Sequence, residues 1–351
     1  MNARKKAYRA AVLAASPARV RPSATVNDTA HPKAADPAGA AADRPAVAVD
    51  QVVEGDCIAV MDAMPEASVD LVFADPPFNI GYHYASYDDD RPLEEYLAFA
   101  RRWMTAVRRV LKPAGSFFLA IGDEYAADLT VIARRELGFH LRNWIVWHYT
   151  FGQQARQSFA RSHTHILYFT RAATGFTFNA DAVRVPSARQ TVYSDARANP
   201  KGKLPDDVWF LRPQDAAPHG YFEPSSDTWN VSRVCGTFKE REGWHGCQMP
   251  LAILERIIRA TTHPGDLVLD PFNGSGTTVV AAALLGRRYV GIEQDPTYVA
   301  FARKRLAHVL AARDAAPAAA LDPRRDSRRP TPTDALGRPR VPRKPRRSAR
   351  P

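Results

Sequence analysis

Two short stretches of this 351-residue chain hold residue types that can do chemistry together. The first is Asp75-Pro76-Pro77-Phe78, directly after the apolar run Val69 to Ala74 with its single acid, Asp70. That run reads as a buried strand of a parallel sheet. Neither proline can donate a backbone N–H or continue a ladder, so the chain must leave the sheet at Asp75. The product is a carboxylate on a stiff turn at the carboxyl end of a strand, with an aromatic ring beside it. In open α/β sheets that edge is where ligands bind. A carboxylate placed there can accept hydrogen bonds and take up a proton.

The second stretch is Asp270-Pro271-Phe272-Asn273-Gly274-Ser275-Gly276-Thr277-Thr278, between the strand Leu267 to Asp270 and an alanine-rich helix ending at Gly286. Its glycines allow close backbone approach to a ligand, and the helix N-terminus behind them favours a carboxylate or phosphate. Glu293 closes the next predicted strand, about twenty residues past the glycines, where an acid can accept both ribose hydroxyls. A nucleoside-bearing cofactor follows. A nucleoside triphosphate site would want Gly-Lys-Ser/Thr, and this loop has no lysine. A nicotinamide site would want a third glycine where Val279 stands. S-adenosyl-L-methionine needs only the shorter loop for its amino-acid part and the acid for its ribose, and it is the cofactor predicted.

These two stretches need a sheet to hold them. Gln51 to Cys57 predicts a short strand with a Gly55-Asp56 turn, and Ile58 to Pro65 a short helix. Leu93 to Leu111 predicts an amphipathic helix with Tyr96, Leu97, Ala100, Trp103, Met104 and Val107 on one stripe. Lys112 to Gly115 should end that helix as a turn. Strands are expected at Ser116–Ile121, at Asn143–Tyr149 on an edge, and at His165–Thr170, with a helix from Tyr125 to Leu137. A helix opening at Pro250, a strand at Arg288–Ile292 and a last helix from Thr297 to about Ala312 complete the set. Strands alternating with helices predict an α/β fold, an open and mostly parallel sheet with helices on both faces. Gly81 to Arg91, rich in tyrosine and acids, is a loop at the ligand edge. Gly175 to Glu242 breaks the rhythm and is expected to be irregular.

The net charge of +11 lies in the tails. Residues 311–351 contribute +8 and residues 1–48 contribute +5, leaving the rest slightly acidic. Both tails are rich in Ala, Pro and Arg and are expected to be disordered. Basic tails speed encounter with polyanions without reading sequence. Inside the fold, residues 140–205 hold nine Lys/Arg against Asp181 and Asp195, with aromatic residues nearby, which suits a nucleic-acid face. No apolar run approaches a membrane span of roughly 18 residues. Cys57, Cys235 and Cys247 make neither a disulfide framework nor metal-ligand spacing. No metal is expected, and a cytoplasmic, nucleoid-associated protein is.

Val-Asp-Leu-Val-Phe-Ala before Asp-Pro-Pro-Phe, with Asp-Pro-Phe-Asn-Gly-Ser-Gly-Thr-Thr later, resembles the amino-group DNA methyltransferases. The likeness covers about Val52 to Leu306. Placing the Asp-Pro-Pro motif first and the glycine loop last is similar to their permuted β group. The resemblance implies a Rossmann-like methyltransferase fold and transfer of a methyl group from S-adenosyl-L-methionine to the exocyclic amine of a flipped base in double-stranded DNA. It implies a catalytic half (49–174), a target-recognition insert (175–245), a cofactor half (246–312), and basic tails at 1–48 and 313–351. It implies that Asp56 lies near the cofactor adenine. Gln248-Met249-Pro250 matches the family's Gln-Lys-Pro with Met at the lysine position, and Phe78 stands where tyrosine is commoner.

Asp75 and the Pro76 carbonyl are expected to accept the amine hydrogens, with Pro77 stiffening the turn and Phe78 stacking on the base. Adenine N6 is the expected target, with cytosine N4 the alternative. A non-catalytic nucleic-acid-binding protein on the same scaffold, or the same chemistry on RNA or a protein amide, are the competing functions. Oligomeric state is open, with monomer and homodimer both allowed.

Overall fold

A computed structural model describes residues 48–82, 87–153, 157, 159–191, 193–209 and 248–315. Nearly all of the expected N-terminal arm, the tail beyond residue 315 and most of the recognition insert lie outside the described residues.

The chain runs β1 (Gln51–Glu54), α1 (Cys57–Ala63), β2 (Val69–Ala74), α2 (Leu93–Val110), β3 (Leu111–Ile121) and α3 (Asp123–Val131). A π-helical turn (Ile132–Glu136), β4 (His140–Gln153) and β5 (Arg161–Thr170) follow, then two single-turn helices (Ala180–Val183, Ala188–Thr191) and β6 (Val208–Trp209). After the insert come α4 (Leu251–Thr261), β7 (Leu267–Asp270), α5 (Thr277–Leu284), β8 (Arg288–Glu293) and α6 (Pro296–Ala315).

Among the described residues, eight strands form one sheet in the order β1-β8-β7-β2-β3-β5-β4-β6. It is parallel from β1 through β3, and β5 is antiparallel to both its neighbours. Alternate residues feed two cores. Leu71, Phe73, Phe118 and Ile166 pack under α4, α5 and α6. Val72, Ala74, Phe117, Leu119 and Leu167 pack under α1, α2 and α3. Both faces are covered, which is why the central strands read as unbroken apolar runs.

One topological fact positions the site. From β2 the chain crosses through α2 to β3 on one side, while from β7 it crosses through α5 to β8 on the other. β2 and β7 are neighbours, so the crevice between their carboxyl ends is the sheet's switch point. Those ends carry Asp75 and Asp270.

Four expectations change. Lys112 to Gly115 is an excursion within β3 rather than a separate turn: Val69 pairs with Leu111 but Leu71 pairs with Ser116. Asp70 accounts for it, since its carboxylate accepts from Lys112 Nζ at 2.8 and 2.9 Å and from the Leu267 amide at 2.9 Å, tying β2 to both neighbours. The strand predicted at 143–149 is longer and is not an edge, because β6 pairs outside it at Val146 and Trp147. The helix predicted over 125–137 begins at Asp123 and turns π-helical at Ile132, and α6 ends at Ala315 rather than Ala312.

Candidate active site

The register Leu71↔Val268 and Val72↔Leu269 sets Asp270 level with Phe73. Adjacent strands lie about 5 Å apart, so the two loops leave the sheet side by side. Both open into one cavity of about 380 Å³. Asp75, Pro76, Pro77 and Phe78 line it on one side, and Asp270, Pro271, Phe272, Asn273, Ser275, Thr277, Thr278 and Glu293 on the other, with Asp56 at the β1 end. Gly274 and Gly276 do not face the cavity. They shape the loop from behind.

The turn after β2 is held from several directions. Asp75 is half-buried and Pro76 buried. The Tyr96 hydroxyl, from α2, donates to the Pro77 carbonyl at 3.0 Å. Asn79 sits in the left-handed region at φ 54°, and its Nδ2 donates to the Tyr125 hydroxyl at 2.9 Å. Phe78 rests on Gly122, where a Cβ would lie 3.3 Å from its ring.

The glycine loop is built as a shell around its two acids. Asp270 Oδ1 accepts from the Phe272 amide at 3.0 Å, and Thr278 also hydrogen-bonds the carboxylate. Burial nevertheless pushes the Asp270 carboxyl up to about 7. Glu293 accepts from the Gly274 amide at 2.9 Å and the Asp295 amide at 3.0 Å, and burial raises its carboxyl too. Gly276, at φ 77°, packs against α6, where an added Cβ would stand 3.2 Å from the Ala302 methyl. Arg305 of α6 braces the loop by donating to the Ser275 carbonyl at 2.8 Å and Thr277 Oγ1 at 3.0 Å.

Asp56 is the N-cap of α1. Its Oδ1 accepts from the Ile58 and Ala59 amides at 3.1 and 2.9 Å, and the residue lines the cavity. Cys57 beside it is buried, with its thiol pushed up to about 12 by burial, so it is no nucleophile at neutral pH.

Several residues in the cavity wall or directly behind it were not singled out for the site from the sequence. Trp103 meets Phe272 edge-on at 5.3 Å, and Phe99 meets it at 6.5 Å, so the stripe of α2 clamps the cofactor loop. Phe99, Arg102, Trp147 and Thr164 line the cavity itself. Helical and strand periodicity marked the buried positions among these, but burial next to a cavity and burial in a core look alike in a sequence. Met249 is buried in the cavity wall and in the core beneath α4, an apolar role. Just outside the cavity, Asp123 Oδ1 lies 3.3 and 3.4 Å from the Nε2 atoms of His163 and His165. Trp144 Nε1 donates to His165 Nδ1 at 2.8 Å, which leaves the proton of a neutral ring on Nε2, facing Asp123.

A family model described as DNA methylase, N6_N4_Mtase, matches residues 69–304. The chain belongs to that family. It is 33% identical over 256 residues to the type II methyltransferase M.HpaI of Haemophilus parainfluenzae, covering 73% of this chain and 74% of that protein. It is also 33% identical over 258 residues to the DNA adenine methyltransferase YhdJ of Escherichia coli K12, covering 73% of this chain and 82% of that one. The solved cytosine-N4-specific PvuII DNA methyltransferase shares the fold, with a TM-score of 0.53 at 19% identity over 74% of this chain and 90% of that chain. The protein is an S-adenosyl-L-methionine-dependent DNA methyltransferase with a Rossmann-like sheet.

The donor set fits that cofactor. Both ends of the Asn273 side-chain amide are buried at the cavity with no hydrogen-bond partner among the described residues. Asp270 is 4% exposed and has no cation against it among the described ion pairs. A ligand bearing an ammonium group, ribose hydroxyls and a carboxylate supplies what these groups lack. No helix among the described residues is long and apolar enough to cross a membrane.

Proposed function

We propose that the protein methylates adenine N6 in double-stranded DNA, with Asp75-Pro76-Pro77-Phe78 as its catalytic turn. The observation that supports this reading is the single cavity lined by both loops, with the half-buried Asp75 and the Phe78 ring in the same wall as residues of the glycine loop. Adenine over cytosine is supported by the 33% identity to an enzyme named as a DNA adenine methyltransferase. Similarity to the cytosine-N4 enzyme extends to the fold alone.

Bound S-adenosyl-L-methionine supplies a methyl group made electrophilic by its sulfonium. Asp270 would face its ammonium, Glu293 would accept from the ribose hydroxyls, and Asp56 would receive the adenine amine. The N-terminus of α5 would favour its carboxylate.

An exocyclic base amine is a poor nucleophile because its lone pair is delocalised into the ring. Asp75 and the Pro76 carbonyl accept its two hydrogens and favour a pyramidal nitrogen with a free lone pair. Both acceptors gain as positive charge develops on nitrogen, which is differential stabilisation of the transition state. Asp75 takes the departing proton, directly or through water. Phe78 stacks on the base, which must leave the duplex because a paired amine cannot reach the cavity. The order of the two motifs fits the permuted β group, and residues 175–245 serve as the target-recognition segment.

The test is nucleoside mass spectrometry and single-molecule sequencing of plasmid DNA exposed to the enzyme and S-adenosyl-L-methionine. N6-methyladenine at a recurring sequence is expected. N4-methylcytosine alone would overturn the choice of base.

A further inference from the structure

The segment after the catalytic turn has its backbone fixed by one buried side chain. Asp89 is 3% exposed. Its carboxylate accepts from the amides of Asn79 at 2.8 Å, Ile80 at 3.2 Å and Tyr82 at 2.9 Å. Its carbonyl accepts from the Gly81 amide at 2.8 Å. The Asn79 side chain closes the neck of the loop by donating to the Arg91 carbonyl at 2.9 Å and accepting from the Arg91 amide at 2.7 Å. Residues 79–82 are therefore a preformed strap.

This rigid strap carries apolar groups outward. Ile80 is 51% exposed and Tyr82 is 40% exposed, and both line the mouth of the cavity that contains Asp75. A branched aliphatic side chain held half in water gains little from the fold itself, since apolar burial is worth about 25 cal/mol per Å². Fixing its backbone beforehand lowers the ordering cost of inserting it into a partner.

We propose that Ile80, with Tyr82 beside it, is the wedge that enters the DNA base stack where the target base leaves, and that Asp89 is the positioning residue that keeps it rigid. This rests on the reading that the base is extruded into the cavity. The partner surface is the pair of apolar base faces exposed when one base swings out, and an aliphatic side chain replaces part of the lost stacking there. The occupant is named by continuity: the wedge stands at the mouth of the cavity that the extruded base must enter.

The experiment compares Ile80→Ala and Asp89→Asn with the wild type on one duplex oligonucleotide carrying the sequence the wild type methylates. The target base is either paired or set opposite an abasic site, which removes the pairing that a wedge helps to break. Ile80→Ala alters a half-exposed position and should melt like the wild type. On the paired duplex, kcat/KM should fall about tenfold or more for both variants, since each tenfold corresponds to about 1.4 kcal/mol. On the abasic-opposed duplex the loss should shrink to about twofold, with S-adenosyl-L-methionine affinity unchanged throughout. An equal loss on both duplexes, or no loss on the paired one, overturns the wedge. A wild type that methylates the paired duplex but not the abasic-opposed one, where the base is already unpaired, would instead sink the reading that the base is extruded.

Discussion

The Tyr96 hydroxyl, carried by α2, donates at 3.0 Å to the carbonyl of Pro77 in the turn that follows β2. Tyr96 is buried, and its ring lies 4.5 Å from that of Tyr125, which itself receives the Asn79 amide. Burial raises the phenol far above its ordinary value, so it remains a donor at any working pH. Two tyrosines from two helices thus hold a turn whose own prolines can donate nothing. Tyr96→Phe keeps the ring and removes only the bond. Stability should fall by about 1–2 kcal/mol, because the Pro77 carbonyl loses its buried donor. The kcat should fall several-fold while S-adenosyl-L-methionine affinity stays unchanged, as read by denaturant titration, methylation kinetics and calorimetry.

Gly122 should be needed for space rather than conformation. Its φ of −75° suits any residue. A methyl there would stand 3.3 Å from the Phe78 ring. Gly122→Ala should leave folding intact yet lower kcat by displacing that ring, and Gly122→Ala with Phe78→Leu should recover part of the loss. Equal kcat for Gly122→Ala and the wild type would refute the contact's importance.

Asp75→Ala should bind S-adenosyl-L-methionine like the wild type and lose methyl transfer by at least about a thousandfold, the scale of removing both a preorganised acceptor and a proton acceptor. Labelled-methyl incorporation reads the loss, and calorimetry reads the binding. Glu293→Ala should give the reverse pattern, with weakened cofactor binding as the primary defect.

Asp270 makes the cofactor-free protein sensitive to pH. Its folded carboxyl titrates at about 7 against 3.8 for the unfolded chain. The folded state therefore holds the extra proton, and Asp270's contribution to stability is full below about pH 4 and lost as pH rises through about 7. The cofactor-free protein should show a component of its melting temperature that declines between pH 5 and 8. S-adenosyl-L-methionine carries a cation for the ionised form, so it should raise the melting temperature more at pH 8 than at pH 5. Asp270→Asn should flatten both trends. Thermal melts with and without cofactor across that range provide the check.

The strands that matter were legible because each is an apolar run stopped by a residue that cannot continue it. Val69–Ala74 ends at Asp-Pro-Pro and Leu267–Asp270 ends at Pro-Phe-Asn-Gly, and both have the predicted bounds. The α2 stripe was legible as a helix face for the same reason, through its 3.6-residue period.

By itself the sequence determined the two chemical loops, the acid that closes β8, and the alternation of strands and helices, because all of these are local in the chain. Only the tertiary structure decided that β2 and β7 are neighbours, since pairing between segments nearly two hundred residues apart leaves no local periodicity. It alone set Trp103 against Phe272, the Tyr96 hydroxyl on Pro77 and Asp89 under the strap at Ile80. A buried tyrosine or aspartate in a sequence names a donor or an acceptor, and only the packing of the elements chooses its partner.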